Sequence, residues 1–229
     1  MFKVETHMHT SEISGCAAST ASEMIRSCKE RGYSAAFVTD HFLNGNNTVP
    51  AELPWKRKIE LYCRGYENAR VEGEKIGFKV FFGVEFTHLG ADFLTYNLSP
   101  EWFAEHDELL ELSAEEYLKL ARTSGGFVIH AHPYREAFYL PAKIRVFPEL
   151  VDGIEVHNAK NLPLDANDKA LRLAKSNGLL MTAGSDAHRI DEIVSGCDFD
   201  KPVDSVEAFI SQLREGAYSL IRKTQEGWG

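Results

Sequence analysis

Short apolar runs alternate along the chain with longer stretches in which apolar residues recur three or four positions apart. The short runs are predicted to be strands: FKVETH, SAAFVTD, FKVFFGVEF, DFLTYNL, GFVIHAHP, DGIEVHN, LLMTAGSDAH and AYSLIR. The longer stretches are predicted to be helices: STASEMIRSCKERG, 56–76, 99–108, 113–124, about 164–177 and SVEAFISQLREG. This alternation is typical of repeated β-α units, so the fold class is expected to be α/β.

Two helix starts are marked by the capping-box spacing, in which a hydroxyl residue precedes a glutamate by three positions. Thr20 and Glu23 show this spacing, and so do Ser113 and Glu116. Gly178 is expected to end the helix that begins near residue 164. No internal repeat or low-complexity linker divides the sequence, so residues 1–229 are expected to form a single domain.

Composition narrows the class of protein. Of the 229 residues, 44% are hydrophobic and 26% are charged, the balance of a globular protein. The net charge of -9 argues against a general nucleic-acid-binding surface, although a nucleotide substrate stays open. Because we find neither a membrane-length apolar run nor a signal peptide, we expect a cytoplasmic protein with no membrane partner. The cysteines form no CxxC pair and are expected to be free thiols.

The residues that could bind metal ions or take part in catalysis share one position, the ends of the predicted strands. Carboxylates and histidines stand where predicted strands end: His7 and His9, Asp40 and His41, Glu85, His130 and His132, Glu155 and His157, and Asp186 and His188. In a parallel barrel these ends converge on one mouth, where barrel enzymes place their active sites. Groups far apart in the sequence are therefore expected to lie within coordination distance of one another.

Several of these residues suit metal coordination individually. His7 and His9 stand two apart, so both imidazoles can point to the same side, and the same is expected of His130 and His132. Glu85 ends a buried strand, where a carboxylate needs a cation or a partner, and it is the natural bridge between two cations. The alternative is an ordinary polar strand end, paired with backbone or with a basic side chain.

Three further segments extend this interpretation. His41 is the expected ligand in TDHF, with Asp40 behind it or on an outer metal; a turn or helix cap is the alternative role for Asp40. Asp186 and His188 lie in AGSDAH, whose small residues allow close approach to an ion. Arg135 is positioned to meet an anion near the mouth, with a surface role as the alternative.

The motifs HMHTSE, TDHF, GVEF, AHPYR, GIEVHN and GSDAH occur in this order between His7 and His188. Together they resemble the PHP superfamily, named for polymerase and histidinol phosphatase, over nearly the whole chain. The resemblance implies a distorted (β/α)7 barrel similar to a TIM barrel, with two or three divalent metals at its carboxyl-terminal mouth. It also implies hydrolysis of phosphate esters, and some members of the superfamily act as polymerase-associated exonucleases.

Carried over by position, the resemblance implies the metal ligands. His7, His9, Glu85 and Asp186 would hold the first metal, Glu85 and His132 the second, and His41 and His188 would contribute to a third. These ions are expected to be Zn, Mn or Fe.

Two departures from the family pattern leave alternatives open. Ser14, Gly15 and Cys16 stand where the first motif usually has a further Asp or His, and Glu12 is the expected replacement, with Cys16 as the second choice. Some members have an additional histidine ligand of the second metal near the position of Asn97. With asparagine there, the second metal site of this chain would lack that ligand.

The expected reaction is phosphoester hydrolysis by a metal-bound hydroxide. Neighbouring cations can polarise a phosphoryl oxygen, activate a water molecule and stabilise the leaving oxygen. The sequence contains no nucleophile elbow that would favour a serine mechanism. Asp186 or a nearby histidine is expected to handle the proton, and Arg135 or His157 to contact the phosphate.

The alternatives are an amidohydrolase-like metal hydrolase and a metal-binding module without turnover. The expected partner is a small phosphorylated substrate, for example a phosphomonoester, a nucleotide or a short oligonucleotide. Loops at about 42–55 and 134–148 are expected to set its specificity. The sequence leaves the oligomeric state open.

Overall fold

The computed structural model describes residues 1–163 and 165–224. The strands are β1 Phe2–Glu5, β2 Tyr33–Val38, β3 Lys79–His88, β4 Ala91–Tyr96, β5 Phe127–Ala131, β6 Gly153–Asn158, β7 Leu180–Gly184, β8 Gly196–Phe199 and β9 Tyr218–Ile221. The α-helices are α1 Ala21–Glu30, α2 Trp55–Tyr62, α3 Arg64–Ile76, α4 Pro100–Glu105, α5 Ala114–Thr123, α6 Ala166–Asn177 and α7 Val206–Glu215. Short 3-10 helices cover Asp107–Leu110 and Ile190–Glu192.

The strands form one sheet in the order β7-β6-β5-β4-β3-β2-β1-β8-β9. β4 pairs antiparallel with β3 and β5, β8 pairs antiparallel with β1 and β9, and the other pairs are parallel. Beyond the ends of β1 and β7, Met8 and Ala187 form a parallel bridge, and the His9 amide donates to the Ala187 carbonyl over 2.9 Å. The sheet is therefore nearly closed, which confirms the expected α/β barrel. The barrel is distorted because β4 and β8 run antiparallel to their neighbours.

Local sequence signals account for several of the helix ends. The capping boxes at Thr20 and Ser113 are both formed and begin α1 and α5, as predicted. Gly178 ends α6 in the left-handed conformation that glycine adopts without steric cost. The helix predicted over 56–76 is instead two helices, α2 and α3, which meet at Cys63. Strand β8 was not predicted, because its four residues include Gly196 and Asp198 and form no apolar run.

An aromatic cluster fixes the strands beneath the mouth. Phe37 of β2 packs against Tyr96 of β4 and Phe209 of α7, with ring centroids 4.6 Å and 4.8 Å away. The buried Tyr96 hydroxyl donates to the Thr6 carbonyl, just after β1, over 2.8 Å. Because these contacts join strands from different parts of the sheet, they also fix the positions of the strand ends.

Candidate metal centre

The mouth of the barrel gathers imidazoles and carboxylates from the ends of several strands. His7 and His9 follow β1, His41 follows β2, Glu85 lies in β3, His132 follows β5, and Asp186 and His188 follow β7. Their donor atoms form three overlapping sets: His7, Glu85 and His132; His7, His9 and Asp186; and His9, His41 and His188. We call His7, Glu85, His132 and Asp186 the inner group, and His41 and His188 the outer group. His9 lies between the two and belongs to one set of each.

The inner group is compact and buried. Glu85 Oε1 lies 3.1 Å from both His7 Nε2 and His132 Nε2. Asp186 Oδ1 lies 3.2 Å from His9 Nε2 and 3.6 Å from His7 Nε2. These five side chains are at most 3% exposed. Glu85 thus stands between two histidines from different strands, which is the arrangement expected of a bridging carboxylate.

Side chains behind His7 and His9 orient the imidazoles of these two residues. His7 Nδ1 lies 3.0 Å from Glu155 Oε1. His9 Nδ1 lies 3.1 Å from Ser14 Oγ, and this hydroxyl donates to Asp40 Oδ1 over 2.7 Å. A proton held at each Nδ1 leaves the lone pair on Nε2, so both Nε2 atoms are directed as donors into the centre.

The outer group lies closer to the surface. The His188 ring stacks on the His9 ring with centroids 4.2 Å apart, and the His41 ring lies 4.4 Å from it. His41 Nδ1 approaches Glu85 Oε2 to 2.6 Å. The outer group therefore shares Glu85 with the inner group, so the two form one continuous centre.

The donor atoms fit cations better than they fit one another. Within the described residues, His41 Nδ1 and Glu85 Oε2 are buried and form no hydrogen bond of acceptable geometry, despite the short distance between them. His7 Nε2 and His9 Nε2 lie 3.2 Å apart, although each is placed to present a lone pair. Buried atoms of this kind are unfavourable without a partner, and imidazole and carboxylate donors suit Zn²⁺, Mn²⁺ and Fe²⁺. The residues of both groups therefore fit divalent metal ions.

The carboxyl groups of the centre are ionised. Burial raises the pKa of Asp186, but Arg135 and His7 outweigh burial and hold this pKa well below its usual value. Burial likewise raises the pKa of Glu85, and the neighbouring His41 and His7 bring it well below the usual value. Both carboxylates are thus available as anionic ligands at neutral pH.

The pKa values of His7 and His9 are shifted in opposite directions. Burial lowers the pKa of His9, and the nearby His188 and His41 lower it further, so His9 is neutral and ready to act as a ligand. Burial also lowers the pKa of His7, but the surrounding carboxylates, led by Asp186, raise it well above its usual value. A proton therefore competes with a cation at His7.

Two residues of the inner group have an unusual backbone. His132 has φ of 30° and Asp186 has φ of 53°, in the left-handed region that residues other than glycine seldom adopt. Such conformations cost about 1–3 kcal/mol each and cluster at functional sites. The bend at His132 directs its imidazole toward Glu85, away from the direction that strand alternation predicts.

Positive charge borders the centre. The Arg135 guanidinium contacts Asp186 Oδ2 at 2.6 Å and donates to Asn158 Oδ1 over 2.6 Å. Lys160 Nζ lies 2.9 Å from His188 Nδ1 and 2.7 Å from a carboxylate oxygen of Glu192. The mouth can therefore offer two cationic side chains to an anionic ligand.

Two predicted site residues point elsewhere. The Glu12 carboxylate accepts from the Ala21 amide at the start of α1, over 2.9 Å, and from Asn68 Nδ2 over 3.1 Å, so it lies outside both groups. The register shifts between Glu155 and His157 in β6, and His157 Nε2 instead lies 3.0 Å from the Lys223 carbonyl. The structure places Cys16, not Glu12, beside the outer group.

Asp40 occupies the supporting position that was one of its expected roles. Its carboxylate accepts hydrogen bonds from Thr10 and Ser14. Burial raises its pKa to about 6, while these hydrogen bonds oppose the rise. Asp40 thus contacts the centre through Ser14 rather than directly.

Two other expectations fail because of strand geometry. His130 does not share a face with His132: its ring packs against Phe93 with centroids 4.8 Å apart, and burial lowers its pKa to about 3.

Asn97 follows β4, and since that strand is antiparallel to its neighbours, its end lies away from the mouth. Asn97 donates instead to the Gly125 carbonyl. Asp92, at the start of β4, is the nearer residue, with Oδ2 3.9 Å from His132 Nδ1.

Glu155, Asn158 and Lys160 complete the surroundings of the centre. The sequence indicates Glu155 only as a strand-end carboxylate without an assigned role, and it does not predict Asn158 or Lys160 as site residues. Glu155 is a buried strand glutamate, so the argument that singled out Glu85 also applies to it. Asn158 donates to Glu155 Oε2 over 2.9 Å. Asn158 and Lys160 had no sequence signal of their own, because their role depends on how the chain leaves β6.

Comparisons with known proteins agree with this architecture. Residues 165–218 match a family model described as PHP-associated. No curated protein matches the chain. Among solved structures, a two-domain protein from Bacteroides vulgatus ATCC 8482, which contains a predicted PHP-like metal-dependent phosphoesterase, is 18% identical with a TM-score of 0.72. The match covers 97% of this chain and 65% of that protein, so this chain spans about two thirds of its length.

Two further structures share the fold. PsfC from Pseudomonas syringae PB-5123 is 19% identical, with a TM-score of 0.61 over 98% of this chain and 92% of that chain. An amidohydrolase from Chromobacterium violaceum, solved with bound sulfate and no metal, is 15% identical, with a TM-score of 0.57 over 95% of this chain and 98% of that chain. At these identities the likeness is one of fold.

The barrel carries metal-ligand donors at its mouth. The PHP-associated match over residues 165–218 agrees with the resemblance to the PHP superfamily that the order of the motifs predicted, and the solved structures share the fold. In the described part of the chain, every helix is too short or too polar to cross a membrane.

Proposed function

We propose that the chain is a metal-dependent phosphoesterase that hydrolyses a small phosphomonoester or a nucleotide phosphoester. The observation that carries this proposal is the overlap of three donor sets, in which the set of His7, His9 and Asp186 shares His7 with one of the other sets and His9 with the other. Overlapping sets can hold two or three cations close together, and Zn, Mn and Fe suit their donors. Cations bound in this way would polarise the phosphoryl group and activate water for attack on phosphorus.

The residues around the centre have complementary tasks. Arg135 is 14% exposed at its side chain and is already held by Asp186 and Asn158, so its orientation toward the centre is fixed. A planar guanidinium suits phosphate oxygens, and we assign Arg135 to phosphate binding. Lys160 can supply a second positive charge. Asp186 serves as a ligand rather than as a proton acceptor, because its lowered pKa makes it a weak base.

Turnover of a substrate panel by the metal-loaded protein tests this proposal. Chelator-treated protein, reloaded separately with Zn²⁺, Mn²⁺ and Fe²⁺, should hydrolyse at least one phosphomonoester, nucleotide or short oligonucleotide. Arg135→Lys should raise KM for that substrate more than it lowers kcat, because the charge remains and the two-pronged contact is lost. Normal metal binding without any phosphoester turnover would contradict the proposal.

An amidohydrolase-type activity is the second candidate, since one structure with this fold is an amidohydrolase. The same loaded protein should be assayed on amides and lactones alongside the phosphoesters. Turnover of these substrates alone would favour the second candidate. Full metal content without turnover in either panel would favour a metal-binding module.

A further inference from the structure

Cys16 differs from the other cysteines of the chain in its surroundings. Cys28, Cys63 and Cys197 are buried, whereas Cys16 is exposed at the mouth. Its Sγ lies 3.2 Å from His41 Nε2 and 3.1 Å from His188 Nε2. A thiol therefore faces both imidazoles of the outer group.

The backbone on both sides of Cys16 holds it in this place. The Gly15 amide donates to the Asn46 carbonyl over 2.9 Å, and the Ala18 amide donates to the His188 carbonyl over 2.9 Å. The second bond ties the loop that carries Cys16 to the segment that carries one of its two histidines. The position of the sulfur is thus set by the fold and not by a free side-chain rotation alone.

The two imidazoles present their Nε2 atoms to the sulfur. His188 Nδ1 lies 2.9 Å from the Asp186 carbonyl, to which it can donate a proton, and 2.9 Å from Lys160 Nζ, so both of its contacts lie away from the sulfur. His41 Nδ1 faces the buried Glu85 Oε2, which within the described residues has no hydrogen bond of acceptable geometry. With Nδ1 of each ring directed elsewhere, both Nε2 atoms and the sulfur converge on the same point.

We propose that Cys16 is a thiolate ligand of the outer cation, which it holds together with His41 and His188. The proposal rests on the metal centre of the proposed function and names a donor of a different chemical kind within it. A site of two imidazoles and one thiolate favours Zn²⁺, Fe²⁺ or Co²⁺ over Mg²⁺ and Mn²⁺. The inner group, with nitrogen and oxygen donors only, also accepts harder ions. The two sites of one mouth would therefore differ in metal preference.

The test is a Co²⁺ titration of chelator-treated protein, followed by absorption. A thiolate bound to Co²⁺ gives a charge-transfer band in the near ultraviolet that nitrogen and oxygen ligands do not give. The wild type should develop this band, and Cys16→Ser should lose it and bind one equivalent less Co²⁺. Cys63→Ser is the matched control, because Cys63 lies at the junction of α2 and α3, and it should behave as the wild type.

A second variant separates loss of a donor from loss of the fold. Cys16→His offers an imidazole at the same position, so it should retain the wild-type Co²⁺ stoichiometry while lacking the charge-transfer band. Thermal unfolding of the chelator-treated variants should match the wild type. A wild type without the band, or a Cys16→Ser protein that keeps the band or its full Co²⁺ content, overturns the proposal. Full metal content with lost turnover in Cys16→Ser would assign the thiol to nucleophilic chemistry instead.

The readouts are independent of turnover, so this proposal and the proposed function can fail separately. A band that depends on Cys16, in a protein that hydrolyses no phosphoester, supports the ligand assignment and rejects the hydrolase. Phosphoester turnover without a band that depends on Cys16 supports the hydrolase and rejects the ligand assignment.

Discussion

The inner and outer groups share one mouth but are built in different ways. Inner side chains are at most 3% exposed, whereas the side chains of His41 and His188 are 18% and 13% exposed. The inner group contains two carboxylates and is surrounded by further buried polar residues. The outer group consists of imidazoles beside a thiol. The inner group is therefore part of the barrel core, while the outer group is part of the surface loops.

This difference has an energetic consequence. Burying an ionised carboxylate costs several kcal/mol unless a partner compensates. Glu85 and Asp186 are both buried and ionised, so cations in the inner group are expected to stabilise the fold as well as to support catalysis. Cations bound in the outer group are expected to exchange with free cations in solution more readily than cations bound in the inner group.

The largest expected effect comes from removing an inner carboxylate charge. Asp186→Asn keeps the shape of the side chain, but it removes the charge that faces His7, His9 and Arg135. Phosphoesterase activity should fall about 10³-fold, because metal-ion catalysis contributes several kcal/mol. Metal content measured by mass spectrometry should fall as well.

Asp191→Asn is the control for this experiment. Asp191 lies in the same segment of the chain, but its exposed carboxylate pairs with Arg189. This variant should retain both metal content and activity. An Asp186→Asn protein with full metal content and full activity would remove Asp186 from the centre.

The next effect concerns Glu5, which joins the inner group to the core beneath it. Its Oε1 accepts from the amides of His7 and Ser185, each over 3.0 Å. Burial raises its pKa from 4.5 to about 7, although hydrogen bonds from Ser185 oppose the rise. Since the folded state holds this proton more tightly than the unfolded state, the contribution of Glu5 to stability is greatest below about pH 4.5. It should fall as the pH rises toward 7 and then level off.

Glu5→Gln should remove this pH dependence because the amide does not ionise. Above pH 7 the variant should be more stable than the wild type by up to ~3 kcal/mol, the equivalent of the shift. Urea unfolding of chelator-treated protein between pH 4 and pH 8 measures this difference, without the field of a bound cation. Parallel pH profiles for the two proteins would show that Glu5 is not protonated in the fold.

Much of the barrel and its centre could be predicted because strand ends carry a strong sequence signal. A buried strand ending in histidine or a carboxylate predicts both the strand and its chemistry, as for His7, Glu85 and Asp186. The failures arise where the backbone departs from regular alternation. The register shift in β6 turns His157 away, and the left-handed backbone of His132 separates it from His130. Neither departure has a local sequence signature.

A smaller effect should distinguish the supports of the two groups. Glu155 contacts His7, whereas Asp40 contacts Ser14, which accepts from the backbone amide of His41. Glu155→Gln should weaken cation binding in the inner group about 10–100-fold, as is usual for residues behind metal ligands. Asp40→Asn should weaken cation binding mainly at His9 and in the outer group. Competition with a chromophoric chelator measures both affinities, and equal losses at both sites in both variants would show that the groups act as one.

The smallest expected effect lies outside both groups, at Glu12. Its carboxylate accepts from the first amide of α1, where the helix dipole favours negative charge. Glu12→Gln should therefore lower the free energy of unfolding by about 0.5 kcal/mol and leave the metal content unchanged. Glu30→Gln is the matched control, since Glu30 is the last residue of α1 and the dipole there disfavours its charge. Urea unfolding and metal analysis of both variants separate the two roles of Glu12. Loss of one cation in Glu12→Gln alone would make Glu12 a ligand, and the outer group would then extend to the start of α1.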